Sequence, residues 1–429
     1  MPEKQLEKCP KCQKRMKDLG LKDEHELQSY FIQRMEKYLN SKNRTLIGWD
    51  EILEGGLAPN AVVMSWRGEK GGIEAAKQNH NVVMTPDKPV YFDHAQTRNE
   101  DSLVFGGFNP IEAVYAYEPV PKELDNAKTK FVLGSQANVW TEYMEYPNKV
   151  EYMILPRMSA LSEVLWSPKG KRNWTDFEKR LQMQIKRYDL WKVNYSKAYY
   201  ALKATILPAK DYNGLLLKLE STNPKGKIKY SYGATSKHMD YKVPVLIRSS
   251  NSYSGELYTD NKISSSVSHN FSFNKATGKK IIITTPPNER YPGQSGAFGL
   301  VNGIYSSKGL SNPDWLGWIG EDLVASIDLG KKDNFSLIKI HTIVQNSSRI
   351  YLPEYVEVLT SNDGKKFISA GKSTEFVNDT LNLGWITANF PKQTSRYIKL
   401  IAKNYGMIPE GKPGAGNKAW LIVDEIQVY

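Results

Sequence analysis

A chain of 429 residues and 48.7 kDa exceeds one ordinary domain and suits two or three, since domains cluster at ~100–200 residues. Hydrophobic residues at 40%, aromatics at 11% and charged residues at 24% describe globular material able to bury sizeable cores, which excludes wholesale disorder. The formal charge of +12 invites a nucleic-acid reading, but the excess is local: residues 199–290 carry 14 basic against 6 acidic side chains, scattered singly as on a solvated β surface, so nucleic acid is not an expected partner.

The chain starts with helical patterns over 3–18 and 23–40, the second with Leu27, Tyr30, Phe31, Arg34, Met35 and Tyr38 at helical spacing behind the breaker Gly20. Short apolar runs follow: RTLIGWDE (44–51), AVVMSWRG (61–68), NVVMTP (81–86) and FVLGSQANVWTE (131–142), with a helix in GGIEAAKQN after the second. Each run is continuous rather than alternating, as in a parallel strand covered on both faces, and each ends in polar or aromatic residues. Helices over 148–166 and 174–197 close this part. Strand, polar terminus and helix in repetition predict a (β/α) barrel with its chemistry at the C-terminal strand ends. Only about four units are present, half of the eight a closed barrel needs, and an open four-stranded sheet with two hydrophobic edges is the competing arrangement.

From about 199 the composition turns to Lys, Ser, Thr and Tyr with short alternating segments, which predicts a small β-sandwich over 199–290. Longer strands such as SLIKIHTIVQ and RYIKLIAKN predict a second sandwich over 291–429, with a hairpin turn at Asn362, Asp363 and Gly364. The expected fold class is thus α/β followed by all-β, with domains at 1–198, 199–290 and 291–429.

Cys9 and Cys12 form a CPKC turn, half of a zinc ribbon with no second pair in the chain to complete four ligands, so two thiols on a first helical turn are the favoured reading. No apolar run approaches the ~18 residues of a membrane span, and the polar start does not resemble a signal peptide.

Four motifs carry a family resemblance: Gly48–Glu51 (GWDE), Ser65–Gly68 (SWRG), Tyr91–Asp93 (YFD) and Asn138–Glu142 (NVWTE). In order, spacing and chemistry they resemble the family-20 glycoside hydrolases, the β-N-acetylhexosaminidases, over residues 1 to about 200. Residues 199–290 resemble the small sandwich that follows the barrel in bacterial members. Residues 291–429 resemble, more loosely, a discoidin or coagulation-factor C-type jelly roll of the kind appended to glycosidases as a carbohydrate-binding module.

The resemblance implies that 1–198 is the C-terminal half of a (β/α)8 barrel. Trp49, Trp66 and Trp140 would wall the subsite of a terminal sugar, since pyranose rings offer apolar C–H faces to indole; ordinary core packing is the alternative for each. Tyr91 would donate to the acetamido carbonyl, Asp93 would bind sugar hydroxyls, and Glu142 would bind further hydroxyls of the same ring. Outside the motif, Asp93 reads as a loop cap and Glu142 as a helix N-terminal acid. Asp50 and Glu51 read as supporting residues.

The implied reaction removes terminal non-reducing N-acetylhexosamine with retention, the substrate's own 2-acetamido group acting as nucleophile through an oxazoline, without cofactor. In the family an Asp-Glu pair in a GGDE-like motif precedes a helix similar to PEKQLEKCPKCQKRM. That places the pair just before Met1, so no catalytic residue is expected within this chain, which alone would be inactive. The family also implies a periplasmic or extracellular location for the full-length protein.

A second reading keeps the chain as a non-catalytic carbohydrate-binding protein, with Trp315, Trp318, Trp385 and Tyr405 between strands of the C-terminal sandwich as sugar-stacking candidates. Asn302-Gly303 lies where such modules hold a structural calcium. A third, a zinc or nucleic-acid protein built on the CPKC turn, ranks lowest. Arg157 and Arg172 receive no role from the sequence, and the oligomeric state stays open.

Overall fold

The computed structural model describes residues 3–97, 104–233, 237–310, 312–380 and 382–429. The chain divides into two compact units, the first ending at Tyr199 and the second starting at Tyr200.

The first unit is α/β. Its sheet holds four parallel strands, Ile47–Trp49, Val62–Ser65, Val82–Met84 and Val132–Ser135, in chain order across the sheet. The two inner strands are β-branched and covered on both sides: Val63, Val82 and Met84 are fully buried, as are Ala75 and Ala76 of the crossover helix Lys70–Lys77. The outer strands form edges among the described residues, and Ile47 and Leu133 there are more than half exposed.

Helix Glu24–Ser41 begins on a capping box. The Asp23 carboxylate accepts from the Glu26 amide at 2.9 Å, and the Glu26 carboxylate accepts from the Lys22 amide at 2.8 Å. Further along this helix, Gln28, Ser29 and Glu36 bond the backbone of Glu51, Gly56 and Asn60, which fixes the loop behind the first strand.

Two predicted helices are divided by proline. The one over 3–18 resolves into Glu3–Glu7 and Pro10–Leu19, and the one over 148–166 into Pro147–Ile154 and Arg157–Trp166. Periodicity runs through Pro10 and Pro156, but a proline ring lacks the amide proton and displaces the preceding carbonyl, so each starts a new helix. The last helix, Trp174–Trp191, stops before 197 because Lys192 turns left-handed at φ 57°.

The second unit is all-β. Its first part packs a four-stranded antiparallel sheet of 227–232, 239–240, 251–259 and 262–271 together with a three-stranded sheet of 203–208, 215–220 and 245–247. Leu215, Leu217 and Leu219 alternate inward with Lys218 and Glu220 outward, and Ile206, Ile247, Leu257 and Phe271 complete the core.

The larger part is built on two 21-residue strands, Leu323–Ile343 and Leu383–Lys403, that pair antiparallel through bulges near 328–337. The bulges let one ladder serve two layers. The early half of Leu323–Ile343 pairs with Lys280–Ile283 and its late half with Trp420–Val428, while the two ends of Leu383–Lys403 take Tyr355–Ser361 and Glu375–Thr380. Lys280–Ile283 thus belongs to the C-terminal layers, and the change of sheet falls before 280 rather than at 290.

Trp315 and Trp318 are not the exposed sugar-stacking aromatics expected between strands. Each is 1% exposed, and their indole N–H groups donate to the Gly309 and Thr285 carbonyls at 3.0 and 2.9 Å, so both are core residues and cannot stack on a sugar. Trp385 is half-buried and lies edge-on to Tyr305 at 5.0 Å, and Tyr405 stacks on Tyr351 at 4.8 Å. One cleft of this unit, about 490 Å³, is lined by Gln345, Asn346, Asn378 and Asn382 with Phe376. No described helix is long and apolar enough to cross a membrane.

Candidate active site

The parallel register places Trp49 opposite Met64, Ser65 opposite Met84, and Met84 opposite Ser135, so the residues that follow these strands emerge at one rim. A further parallel bridge joins Tyr91 to Asn138: the Phe92 amide donates to the Asn138 carbonyl at 2.7 Å, and the Asn138 amide donates to the Val90 carbonyl at 3.0 Å. Tyr91 and Asp93 are thereby set beside Trp140 and Glu142 although about fifty residues separate the two segments.

Around this rim the six predicted site residues converge. Trp49 and Trp140 lie 5.9 Å apart with planes tilted by 44°, and Trp66 stacks on Tyr91 at 6.4 Å. Burial raises the Tyr91 hydroxyl above its ordinary value, while the Trp140 indole and the Asn138 amide beside it act the other way. Trp140 is 43% exposed and forms the open wall, and Glu142 is exposed at the lip.

The supporting acids fix Trp66. Asp50 is 1% exposed and accepts from the Trp66 and Arg67 amides, both at 3.1 Å, and from Arg67 Nε at 2.6 Å. Glu51 accepts the Trp66 indole N–H with both carboxylate oxygens at 3.1 Å. Both carboxylates are therefore committed to holding the indole in place.

Asp93 is different. It is 2% exposed, yet neither carboxylate oxygen has a hydrogen-bond partner among the described residues. Burial pushes its carboxyl above the ordinary Asp value; the backbone amides of Asp93 and Trp140 oppose this, the Glu142 charge adds to it, and the Arg157 guanidinium opposes it. Asn138 Nδ2 is likewise buried without an acceptor, while its Oδ1 accepts from Gln136 at 2.9 Å. Two buried polar groups thus face the same rim with hydrogen-bonding capacity unspent.

Arg157, unassigned from sequence, anchors the loop that carries Asp93. Its side chain is wholly buried, lies 4.7 Å over the Phe92 ring, and donates to the carbonyls of Phe92 at 2.5 Å, His94 and Asn109 at 3.0 Å, and Met153. Asn109 Nδ2 donates to the Asp87 and Tyr91 carbonyls and lies 3.1 Å from His94 Nδ1. Burial lowers His94 to about 4, so it is neutral at physiological pH. A Cβ on Gly107 would fall 2.3 Å from His94 Nδ1, so glycine alone fits there. Arg172, also unassigned, pairs with Glu118 and the Tyr117 carbonyl away from these residues.

Comparison with known proteins bears on this rim. Residues 1–169 match the glycosyl hydrolase family 20 catalytic domain. Over these residues the chain is similar to that family's catalytic domain. The chain is 51% identical over 196 residues to a β-hexosaminidase of Porphyromonas gingivalis, covering 45% of this chain and 25% of that protein. It is 34% identical over 158 residues to a β-hexosaminidase of Vibrio furnissii, covering 36% and 26%. It spans about a quarter of the length of these relatives. Among solved structures, an exo-β-N-acetylglucosaminidase of Vibrio harveyi in complex with N-acetylglucosamine is 33% identical, with 45% of this chain and 31% of that one covered and a TM-score of 0.43. The matched segment contains all six predicted site residues. Among the described residues no three His, Cys, Asp or Glu side chains converge as a metal site.

The Asp93 environment sets a pH dependence. A carboxyl raised in the folded state makes folding favour the protonated form, so its contribution to stability is full below the ordinary value of 3.8 and falls as pH climbs from there through the raised value. Asp93→Asn removes that loss. At neutral pH it is expected to raise the melting midpoint by ~2–4 °C, from about 1 kcal/mol, and to steepen the rise of stability with pH on the acid limb, as followed by circular dichroism. An unchanged or lowered midpoint would show that Asp93 is already satisfied.

Proposed function

We propose that residues 1–198 are the C-terminal half of a (β/α)8 β-N-acetylhexosaminidase barrel and hold its terminal-sugar pocket. The observation that carries the reading is the meeting of three Trp and Tyr91 around the unpartnered, buried Asp93 carboxylate at the C-terminal ends of parallel strands. In this reading Trp49, Trp66 and Trp140 enclose the N-acetyl methyl and the apolar ring face. Tyr91 donates its hydroxyl proton to the acetamido carbonyl oxygen, and Asp93 and Glu142 accept from ring hydroxyls.

The reaction is retaining hydrolysis of terminal N-acetylhexosamine from glycans. It requires the acetamido oxygen to sit under the anomeric carbon, so the first task of the pocket is to hold the acetamide in one orientation and to exclude water while the oxazoline lasts. Enclosure by indole does both. Asp50 and Glu51 are bound to the backbone and side chain of Trp66. They act as its positioning residues, and protonation of the leaving oxygen is assigned to neither.

The test is calorimetric titration of the full chain with N-acetylglucosamine and with glucose, which lacks the acetamide. N-Acetylglucosamine is expected to bind at least tenfold more tightly. Trp140→Ala and Tyr91→Phe are each expected to weaken it by about tenfold, the effect of losing ~1.4 kcal/mol, with little change in melting midpoint because Trp140 is part exposed. Equal affinity for the two sugars would remove the acetamide from the account.

For the C-terminal sandwich we propose a discoidin-like module stabilised by a calcium ion, on a specific observation. Glu425 is 0% exposed, both carboxylate oxygens lack a hydrogen-bond partner, and burial holds its carboxyl well above the ordinary range beside the Gly303 amide and the Asn274 side chain. A hard cation neutralises such a carboxylate, with backbone and side-chain oxygens completing the shell. Chelation is expected to lower the melting midpoint and added calcium to restore it, a difference that Glu425→Gln abolishes. A midpoint indifferent to chelator, with Glu425→Gln raising it, would mean that a proton fills this role.

A further inference from the structure

The CPKC turn takes no part in the sugar pocket, and what the fold does with it points to a separate chemistry. Cys9 and Cys12 are the two cysteines of the chain. Cys9 is the N-cap of helix Pro10–Leu19, with extended backbone at φ −85° and ψ 109°, and Cys12 is the third residue of the helix. N-cap and N3 side chains meet on the first turn, the relation a capping box exploits. Here the N-cap side chain makes no capping hydrogen bond, so its sulfur is left to its thiol neighbour. Both thiols are free and half-exposed. Among the described residues no acid or imidazole joins them as a metal site.

We propose that Cys9 and Cys12 are a dithiol–disulfide exchange site, a redox modification site with Cys9 as the attacking thiol and Cys12 as the resolving one.

The roles follow from the asymmetry of the turn. Cys9 sits ahead of the helix, where the Cys12 thiol donates toward it and the Lys11 ammonium is near; these hold its thiol below the ordinary range. Cys12 is held above the ordinary range, first by the hydrogen bond to Cys9 and then by burial. A thiolate is thus favoured on the outer sulfur and a thiol on the inner one. The exposed ammonium groups of Lys8, Lys11 and Lys14 flank the turn, so an anionic low-molecular-weight disulfide of the glutathione type is the suited oxidant. The Cys9 thiolate attacks one sulfur of that disulfide, whose S–S bond breaks and releases one thiolate. Cys12 then gives its proton to solvent, and its thiolate attacks the Cys9 sulfur of the mixed disulfide and expels the second thiolate. Two electrons pass from the protein dithiol to the small disulfide, and two small thiols and one protein disulfide result.

The test exposes the full chain to buffers of reduced and oxidised glutathione, then blocks remaining thiols by alkylation and reads the intact mass. The expected product has lost two hydrogens, resists alkylation at both cysteines, and returns to the dithiol with dithiothreitol. Cys12→Ser is expected to stop at a single glutathione adduct on Cys9, and Cys9→Ser to react at least tenfold more slowly. Full alkylation of the wild type after excess oxidised glutathione would overturn the proposal. So would a wild type that halts at mixed adducts, since Cys12 would then not resolve. Neither outcome depends on the sugar pocket or on the folding of a variant.

Discussion

A loop can be buried only if its carbonyl groups find donors, and the Arg157 guanidinium supplies them. From helix Arg157–Trp166 it reaches the carbonyls of Phe92, His94 and Asn109. Arg is suited to this because its planar fork presents several donors in fixed directions and stays charged when buried. Phe92 under the guanidinium plane and the neutral His94 beyond it complete a packed support. The position of Asp93 at the rim depends on that support, as does the bridge that brings Tyr91 alongside Asn138.

The rim separates carboxylates by what already holds them. Asp50 and Glu51 are spent on the backbone and indole of Trp66, so their charges are compensated inside the protein. Asp93 and Asn138 are buried with capacity left over. Buried polar groups of that kind cost about 1–3 kcal/mol each unless a partner arrives, and such costs concentrate where a ligand supplies the missing bonds. Indole walls and unsatisfied polar atoms on one rim fit a ligand with an apolar face and several hydroxyls. Glu425 in the second unit carries the same cost, buried with both carboxylate oxygens unpartnered.

Much of this was legible in the sequence because strand ends are local. A continuous apolar run that stops at GWDE or SWRG places Trp49 and Trp66 at a rim without any long-range information, and the order of the runs gave the parallel sheet. Asn109 and Arg157 were not legible, since the loop groups they bond lie 15 to 65 residues away and nothing in their neighbours marks them. The helix divisions at Pro10 and Pro156 were hidden because apolar periodicity continues on both sides of the ring. Trp318 read as an inter-strand aromatic, yet it lies within strand Leu316–Ile319, where its indole finds the Thr285 carbonyl; only the pairing of that strand with Trp420–Val428 decides this.

The central claim is that the rim at Trp49, Trp66, Tyr91, Asp93, Trp140 and Glu142 receives one N-acetylhexosamine, acetamide inward. A crystal structure of the chain soaked with N-acetylglucosamine tests it most directly. The account predicts the N-acetyl methyl among the three indoles, the acetamido oxygen within hydrogen-bonding distance of the Tyr91 hydroxyl, and a ring hydroxyl on the Asp93 carboxylate. A sugar bound elsewhere on the chain with this rim empty, or bound here with its acetamide turned out to solvent, would contradict it.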